Sequence, residues 1–162
     1  SIVGYADADL ATPIDELTRL AAVLEAEHAD AALGARVNLL GSRIERDPKR
    51  HYLGRVFATL ASLVLRIAIY DTQCGAKLFR RTPELETALS DPFLSRWVFD
   101  VELLGRLLAA GGDRFRIVEV PLRACKDVGG SKLRPEDFAR AAVDLARIER
   151  DLERRRKLGS LI

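Results

Sequence analysis

Residues 2–24, IVGYADADLATPIDELTRLAAVL, set a short apolar run against an amphipathic one, and the join between them decides the fold. Ile2 to Ala6 reads as a buried strand. Thr12-Pro13-Ile14-Asp15 then supplies an N-cap, a proline at the first helical position and an acid in the first turn. In the helix that follows, Ile14, Leu17, Leu20, Ala21 and Leu24 recur at helical spacing, which lays one face on a sheet. Asp7-Ala8-Asp9 therefore leaves the end of a strand, where an open α/β sheet places its ligand crevice.

Outward from this unit the pattern repeats. Ala31 to Gly34 reads as a second strand. From Arg36 to Arg55 periodicity gives way to charge, with Arg36, Arg43, Arg46, Lys49, Arg50 and Arg55 facing only Glu45 and Asp47. This predicts a basic loop. Leu53 to Ile69 is apolar on nearly every side, as suits a core helix or one resting against something greasy. Gly75 to Phe79 reads as a strand, and Thr82-Pro83-Glu84 caps a short helix. Phe99 to Ala110 is helical and stops at Gly111-Gly112. Phe115 to Leu122 is a further strand, and a last helix starts near Pro135 with Phe138, Ala142, Leu145, Ile148 and Leu152 along one side. Alternating strands and helices argue α/β layers in a single domain over residues 1–162.

Composition narrows the function. The chain is 48% hydrophobic and 31% charged, ordinary for a globular domain. Its 26 basic and 24 acidic residues leave a net charge of +2, too little to make nucleic acid the expected partner. Cys74 and Cys125 are far apart and lie in no CxxC, which points to reduced thiols rather than a zinc site. His28 and His51 have no ligand-like neighbours and are expected to be exposed. No stretch reaches the ~20 apolar residues that a membrane crossing needs.

Residues i and i+2 of an extended chain point the same way, so Asp7 and Asp9 can face one hard cation, Mg2+ or Mn2+, held also by a substrate diphosphate. Taken alone, the triplet equally suits solvated acids favoured by a helix N-terminus. Arginines of the basic stretch suit phosphate through their bidentate forks. Lys132, after Gly129-Gly130-Ser131, resembles a phosphate-closing loop without the spacing of a P-loop.

Four blocks in order sharpen this reading: Asp7 to Pro13, DTQCGAKLF at residues 71–79, RWVFDVELL at residues 96–104, and Gly130-Ser131-Lys132-Leu133. Together they resemble the dolichyl-phosphate glucosyltransferases and polyprenyl-phosphate glycosyltransferases among the inverting family-two enzymes, from residue 1 to about residue 140. The resemblance implies a GT-A fold, Rossmann-like, with a nucleotide-sugar donor, a divalent cation and a polyprenyl-phosphate acceptor. It implies metal ligands at Asp7 and Asp9, acceptor-phosphate contacts at Arg36, Arg50 and Arg55, and crevice residues at Asp71, Gln73, Lys77 and Lys132. Asp100 and Glu102 match the position of a catalytic base in relatives that glycosylate hydroxyls. A phosphate monoester is largely dianionic and needs little help losing a proton, so Asp100 is read instead as orienting the acceptor, or as a helix cap. Cys74, Trp97 and Phe99 are expected to be packing residues.

Mannosyl relatives place a Gln two positions past the second Asp, where Ala11 stands here. This favours the glucosyl branch and UDP-glucose. The nucleotide-binding half of a GT-A domain normally precedes the DxD, so the chain is read as the C-terminal portion of such a domain with that half missing. The expected location is the cytoplasmic face of a membrane, peripherally attached. Two other readings stay open: a hydroxyl acceptor with Asp100 as base, and a non-catalytic basic module that binds membrane or nucleic acid through residues 36–55 and 154–157.

Overall fold

A computed structural model describes residues 1–45, 48–126 and 135–159, with side chains assigned outside 45, 48–51, 135, 136 and 159. Lys132 and its glycine loop, Arg46, Asp47 and the side chains of Lys49, Arg50 and His51 lie outside the described residues.

The elements run β1 (Ile2–Tyr5), α1 (Ile14–Ala26), β2 (Ala31–Ala35), β3 (Arg43–Glu45), α2 (Pro48–Leu65), β4 (Lys77–Arg80), α3 (Pro83–Leu89), α4 (Phe99–Gly111), β5 (Ile117–Pro121), β6 (Ala124–Lys126) and α5 (Pro135–Gly159). Four strands form a mixed sheet in the order β1-β4-β2-β5, and β3 pairs with β6 in a small parallel ribbon. β4 is antiparallel to both β1 and β2, whereas β2 and β5 are parallel. The β1-α1-β2 crossover thus skips one place, and β4 fills it from the opposite direction.

Side chains alternate across the pleat, so β2 serves two cores. Ala31 and Leu33 join Phe79 beneath α2, α3, α4 and α5. Ala32 faces the other way, with Ala76, Val120 and Leu122, against Leu20 and Leu24 of α1. The result is a helix layer on each face of the sheet, as alternating strands and helices predict.

Local signals hold in several places. Thr82 accepts a hydrogen bond from the Leu85 amide, with Pro83 in the first turn. α4 ends at Gly112, whose φ of 56° is comfortable only for glycine.

Other expectations are corrected. Among the described residues β1 lies at the edge of the sheet, where a buried strand was expected, and Val3 is 45% exposed. Thr12 is itself buried and makes no cap bond; Pro13 occupies the N-cap and Ile14 points outward. The basic stretch is not a single loop, because β3 and the first turns of α2 interrupt it. In α5 it is Ala141, not Ala142, that enters the core. α2 packs one face into the core through Ala58, Ala61, Val64 and Leu65, while Tyr52, Val56, Leu60 and Leu63 are exposed on the other.

Candidate active site

β1 delivers its last residues to the ends of β4 and α4. Leaving the strand, the chain turns at once: the Leu10 amide donates to the Asp7 carbonyl at 3.0 Å, and Leu10 takes a φ of 52°. Asp7 and Asp9 are therefore presented by a turn and not by the extended chain that their spacing suggested. Asp9 Oδ1 accepts the Ala11 amide at 3.0 Å, which holds the turn and leaves further lone-pair positions on the carboxylate. Asp7 lies against Gly75, where even a methyl group would come within 1.9 Å of its carboxylate. A glycine inside a strand-like run often marks such an approach.

The pKa of Asp7 is raised, first by partial burial and next by the neighbouring charge of Asp9, with Lys77 and Arg36 pulling the other way. Two oxygen-donor groups whose charges oppose each other suit a hard cation, which would relieve that repulsion. Among the described residues no third His, Cys, Asp or Glu joins them as a metal cluster. A cation held here would take its remaining oxygens from phosphate and water, as Mg2+ commonly does.

Behind the turn lies a buried charge cluster. Lys77 is fully buried, and its Nζ stands 2.6 Å from Asp100 Oδ1. It also donates to the Cys74 carbonyl and lies 5.4 Å from the centre of the Tyr5 ring. The Tyr5 hydroxyl donates to the same Asp100 oxygen. The Tyr5 pKa is raised, by burial first and then by Asp100. Asp100 does not cap α4, since the N-cap is Val98 and no side chain closes it. Held by a lysine and a tyrosine, its carboxylate orients the cluster and is poorly placed to act as a free base. Glu102 is further still from that role. It is fully buried, bonded to Arg106 at 2.6 Å and to the Leu94 amide at 2.8 Å, and it shapes the segment before α4.

Arg36 is also engaged. Its Nε and Nη2 meet the two oxygens of Asp71 at 2.7 and 2.9 Å, the bidentate geometry expected to grip phosphate. Burial pulls the Arg36 pKa down, but the Asp71 bonds outweigh it and the guanidinium stays charged. Asp71 also accepts the Gln73 amide at 3.2 Å, so this pair organises the 70–73 turn. Sequence reasoning missed Glu119 of β5, which accepts the Tyr70 and Asp71 amides at 2.9 and 3.0 Å from below. Its position in an otherwise apolar strand was the available signal.

Beside this turn opens a cavity of about 180 Å3. Leu53 and Phe57 of α2, Trp97 and Phe138 form its apolar wall, and Arg36, Arg55, Thr72 and Gln73 supply polar groups. Arg55 lies 4.1 Å from the centre of the Tyr70 ring and donates to the Tyr70 carbonyl at 3.1 Å. Trp97 was expected to be a packing residue; it is 40% exposed and meets Phe138 edge to face at 6.4 Å. Cys74 matches its expected packing role, fully buried with its thiol pushed up to about 11, chiefly by burial. The structure thus gathers Asp7, Asp9, Lys77 and Asp100 in one cluster and Arg36, Arg55, Asp71 and Gln73 around the adjacent cavity.

No family model matches the chain. It is 33% identical over 147 residues to a dolichyl-phosphate beta-glucosyltransferase of Trichomonas vaginalis, covering 88% of this chain and 42% of that protein. A dolichyl-phosphate beta-glucosyltransferase of Saccharomyces cerevisiae is 31% identical over 162 residues, covering 91% of this chain and 45% of its own length. A polyprenol monophosphomannose synthase of Mycolicibacterium smegmatis is 28% identical over 148 residues, covering 90% and 54%. The chain spans about half the length of these relatives.

Proposed function

We propose that the chain is part of a dolichyl- or polyprenyl-phosphate glycosyltransferase of the inverting GT-A group, as its similarity to such enzymes supports, and that it moves a hexose from a nucleotide-sugar onto a polyprenyl phosphate with inversion. UDP-glucose is the proposed donor, in keeping with the glucosyltransferase relatives and with Ala11 beside the acidic turn. The chain corresponds in this reading to the portion of a GT-A domain from the DxD strand onward, with the base-binding half supplied by sequence outside it. The observation that carries the proposal is the placement of Asp7 and Asp9 on a turn at the sheet's edge, backed by the Lys77-Asp100-Tyr5 cluster and next to a cavity with basic and apolar walls.

Asp7 and Asp9 would hold Mg2+ or Mn2+, which when bound neutralises charge developing on the departing diphosphate. The chain's own residues do the rest. Lys77 holds the Asp100 carboxylate in place through its ion pair, and its charge also tempers the repulsion at Asp7. Asp71, gripping Arg36 and the Gln73 backbone N–H, holds the turn that faces the acceptor. An acceptor phosphate arrives as a dianion and attacks through its own oxygen, so the pairing of Asp100 with Lys77 is no obstacle. A hydroxyl acceptor would need a free base, and the engaged carboxylate of Asp100 disfavours that alternative.

Among the described residues no helix is long and apolar enough to cross a membrane. The exposed stripe of Tyr52, Val56, Leu60 and Leu63 on α2 supports peripheral contact with the cytoplasmic face of a membrane, where a polyprenyl acceptor resides. Arg156 of α5 donates to the Val64 carbonyl at 3.1 Å and so brings the basic end of α5 beside that stripe. Basic residues near an anionic surface contribute about 1 kcal/mol each.

The test is transfer by the intact protein: UDP-glucose labelled in the sugar, polyprenyl phosphate in mixed vesicles, and Mn2+. Lipid-extractable label that vanishes in Asp9→Ala supports the proposal. Failure of every nucleotide-sugar to label lipid in the unaltered protein refutes it.

A further inference from the structure

The cavity beside the 70–73 turn contains two polar groups that the described residues do not satisfy. Thr72 is 1% exposed, and its Oγ1 is buried without a hydrogen-bond partner among the described residues. The Nε2 of Gln73 is in the same state. Both residues line the cavity. Buried polar atoms are almost always paired, and an unpaired one costs the full desolvation of that group. Two adjacent ones on the wall of one cavity mark a place where a ligand supplies the missing partners.

The chemistry of that ligand follows from what surrounds it. An amide nitrogen can only donate and a hydroxyl can donate, so the ligand must bring acceptor oxygens. Arg55 adds a positive charge on the same wall, and the Asp71 carboxylate that would oppose an anion is occupied by the Arg36 fork. The remaining wall is apolar, with Trp97 and Phe138 meeting edge to face. An oxygen-rich anion with an apolar tail fits both halves.

We propose that Thr72 and Gln73 donate hydrogen bonds to the phosphate oxygens of an isoprenoid phosphate monoester, and that Trp97 and Phe138 receive the first carbons of its chain. The proposal rests on the acceptor reading above and makes these four residues determinants of acceptor specificity. Arg55 supplies the long-range attraction. The aromatic pair rejects acceptors that are polar next to the phosphate.

Trp97 is the only tryptophan in the chain, so its fluorescence reports on this cavity directly. The experiment titrates the intact protein, with any tryptophan outside these residues replaced by phenylalanine, with farnesyl phosphate, farnesol and inorganic phosphate, each below its aggregation limit. Farnesyl phosphate is expected to change the emission saturably, at a concentration at least tenfold below that of either half-ligand. Thr72→Val and Gln73→Leu should each weaken farnesyl phosphate by about tenfold to a hundredfold, the worth of a hydrogen bond to a charged group, and leave farnesol unchanged. Thr72→Val should melt no lower than the parent, because the hydroxyl it removes has no partner among the described residues. Equal affinity for farnesol and farnesyl phosphate, or unchanged affinity in both variants, overturns the assignment. In the intact protein, normal transfer with an unaltered KM for polyprenyl phosphate in both variants overturns this pocket and spares the transferase. Saturable farnesyl phosphate binding in a protein that labels no lipid does the reverse.

Discussion

Replacing Gly75 by Ala tests the acidic turn without touching an acidic residue. The new methyl carbon would fall 1.9 Å from Asp7 Cγ and Oδ2 and 2.3 Å from Oδ1. Ordinary contact between such atoms begins near 3.4 Å, so the carboxylate must retreat by about 1.5 Å. Gly75 does not adopt a positive φ, so alanine itself fits the local chain there. Asp7 is a partly exposed side chain at a turn and can rotate away, which keeps the cost to folding small. The cost to a bound cation is large, because metal-oxygen distances tolerate only about 0.2 Å. Losing even an outer-shell support typically weakens a metal tenfold to a hundredfold, and loss of one of two protein carboxylates should be at least as severe. The assay is isothermal titration of Mn2+ with nucleoside diphosphate into the intact protein, beside a thermal melt in EDTA. The expected result is a fall in Mn2+ affinity of about a hundredfold with the midpoint shifted by only a few degrees. Unchanged Mn2+ affinity in a folded Gly75→Ala protein refutes the placement of Asp7 on the cation.

Arg106→Leu removes one partner of a fully buried pair and the donor to the Ala88, Asp91 and Pro92 carbonyls, so it should cost about 3–5 kcal/mol, seen as a drop of roughly 10 °C in Tm. Lys77→Met strands Asp100 in the same way and should bring a comparable loss in a melt, while Lys77→Met paired with Asp100→Leu should recover part of it. Asp7→Asn ends the repulsion from Asp9, so the metal-free protein should melt no lower than the parent at neutral pH, while Mn2+ titration shows the ion lost. Arg55→Lys keeps charge but loses the planar fork, and steady-state kinetics should show KM for polyprenyl phosphate raised about tenfold with donor KM unchanged. A double Leu60→Glu and Leu63→Glu variant should leave anionic vesicles in a flotation gradient, since both side chains are exposed on α2.

What the sequence settles about this protein is what neighbours along the chain decide. The Thr82-Pro83 start of α3, the glycine stop of α4 and the core positions Leu20, Leu24, Leu145, Ile148 and Leu152 follow from capping and helical spacing within a few residues. The order of four motif blocks pointed to the transferase group for the same reason, since each block is local. The helix of residues 48–65 shows the limit of that reading. Its uniform apolarity left both a core and a surface role open, and only packing divided Ala58 and Ala61 from Leu60 and Leu63. Tertiary structure alone placed β4 backwards between β1 and β2, because strand pairing joins segments 44 to 78 residues apart. It also decided what each charge does. Asp7 and Asp9 share an exposed acidic turn, whereas Asp100 is bound to Lys77, Asp71 to Arg36 and Glu102 to Arg106. A carboxylate's role as ligand, base or strut is set by what shares its low-dielectric surroundings, where an ion cannot stay unpaired, and those partners come from elements that only the fold brings together.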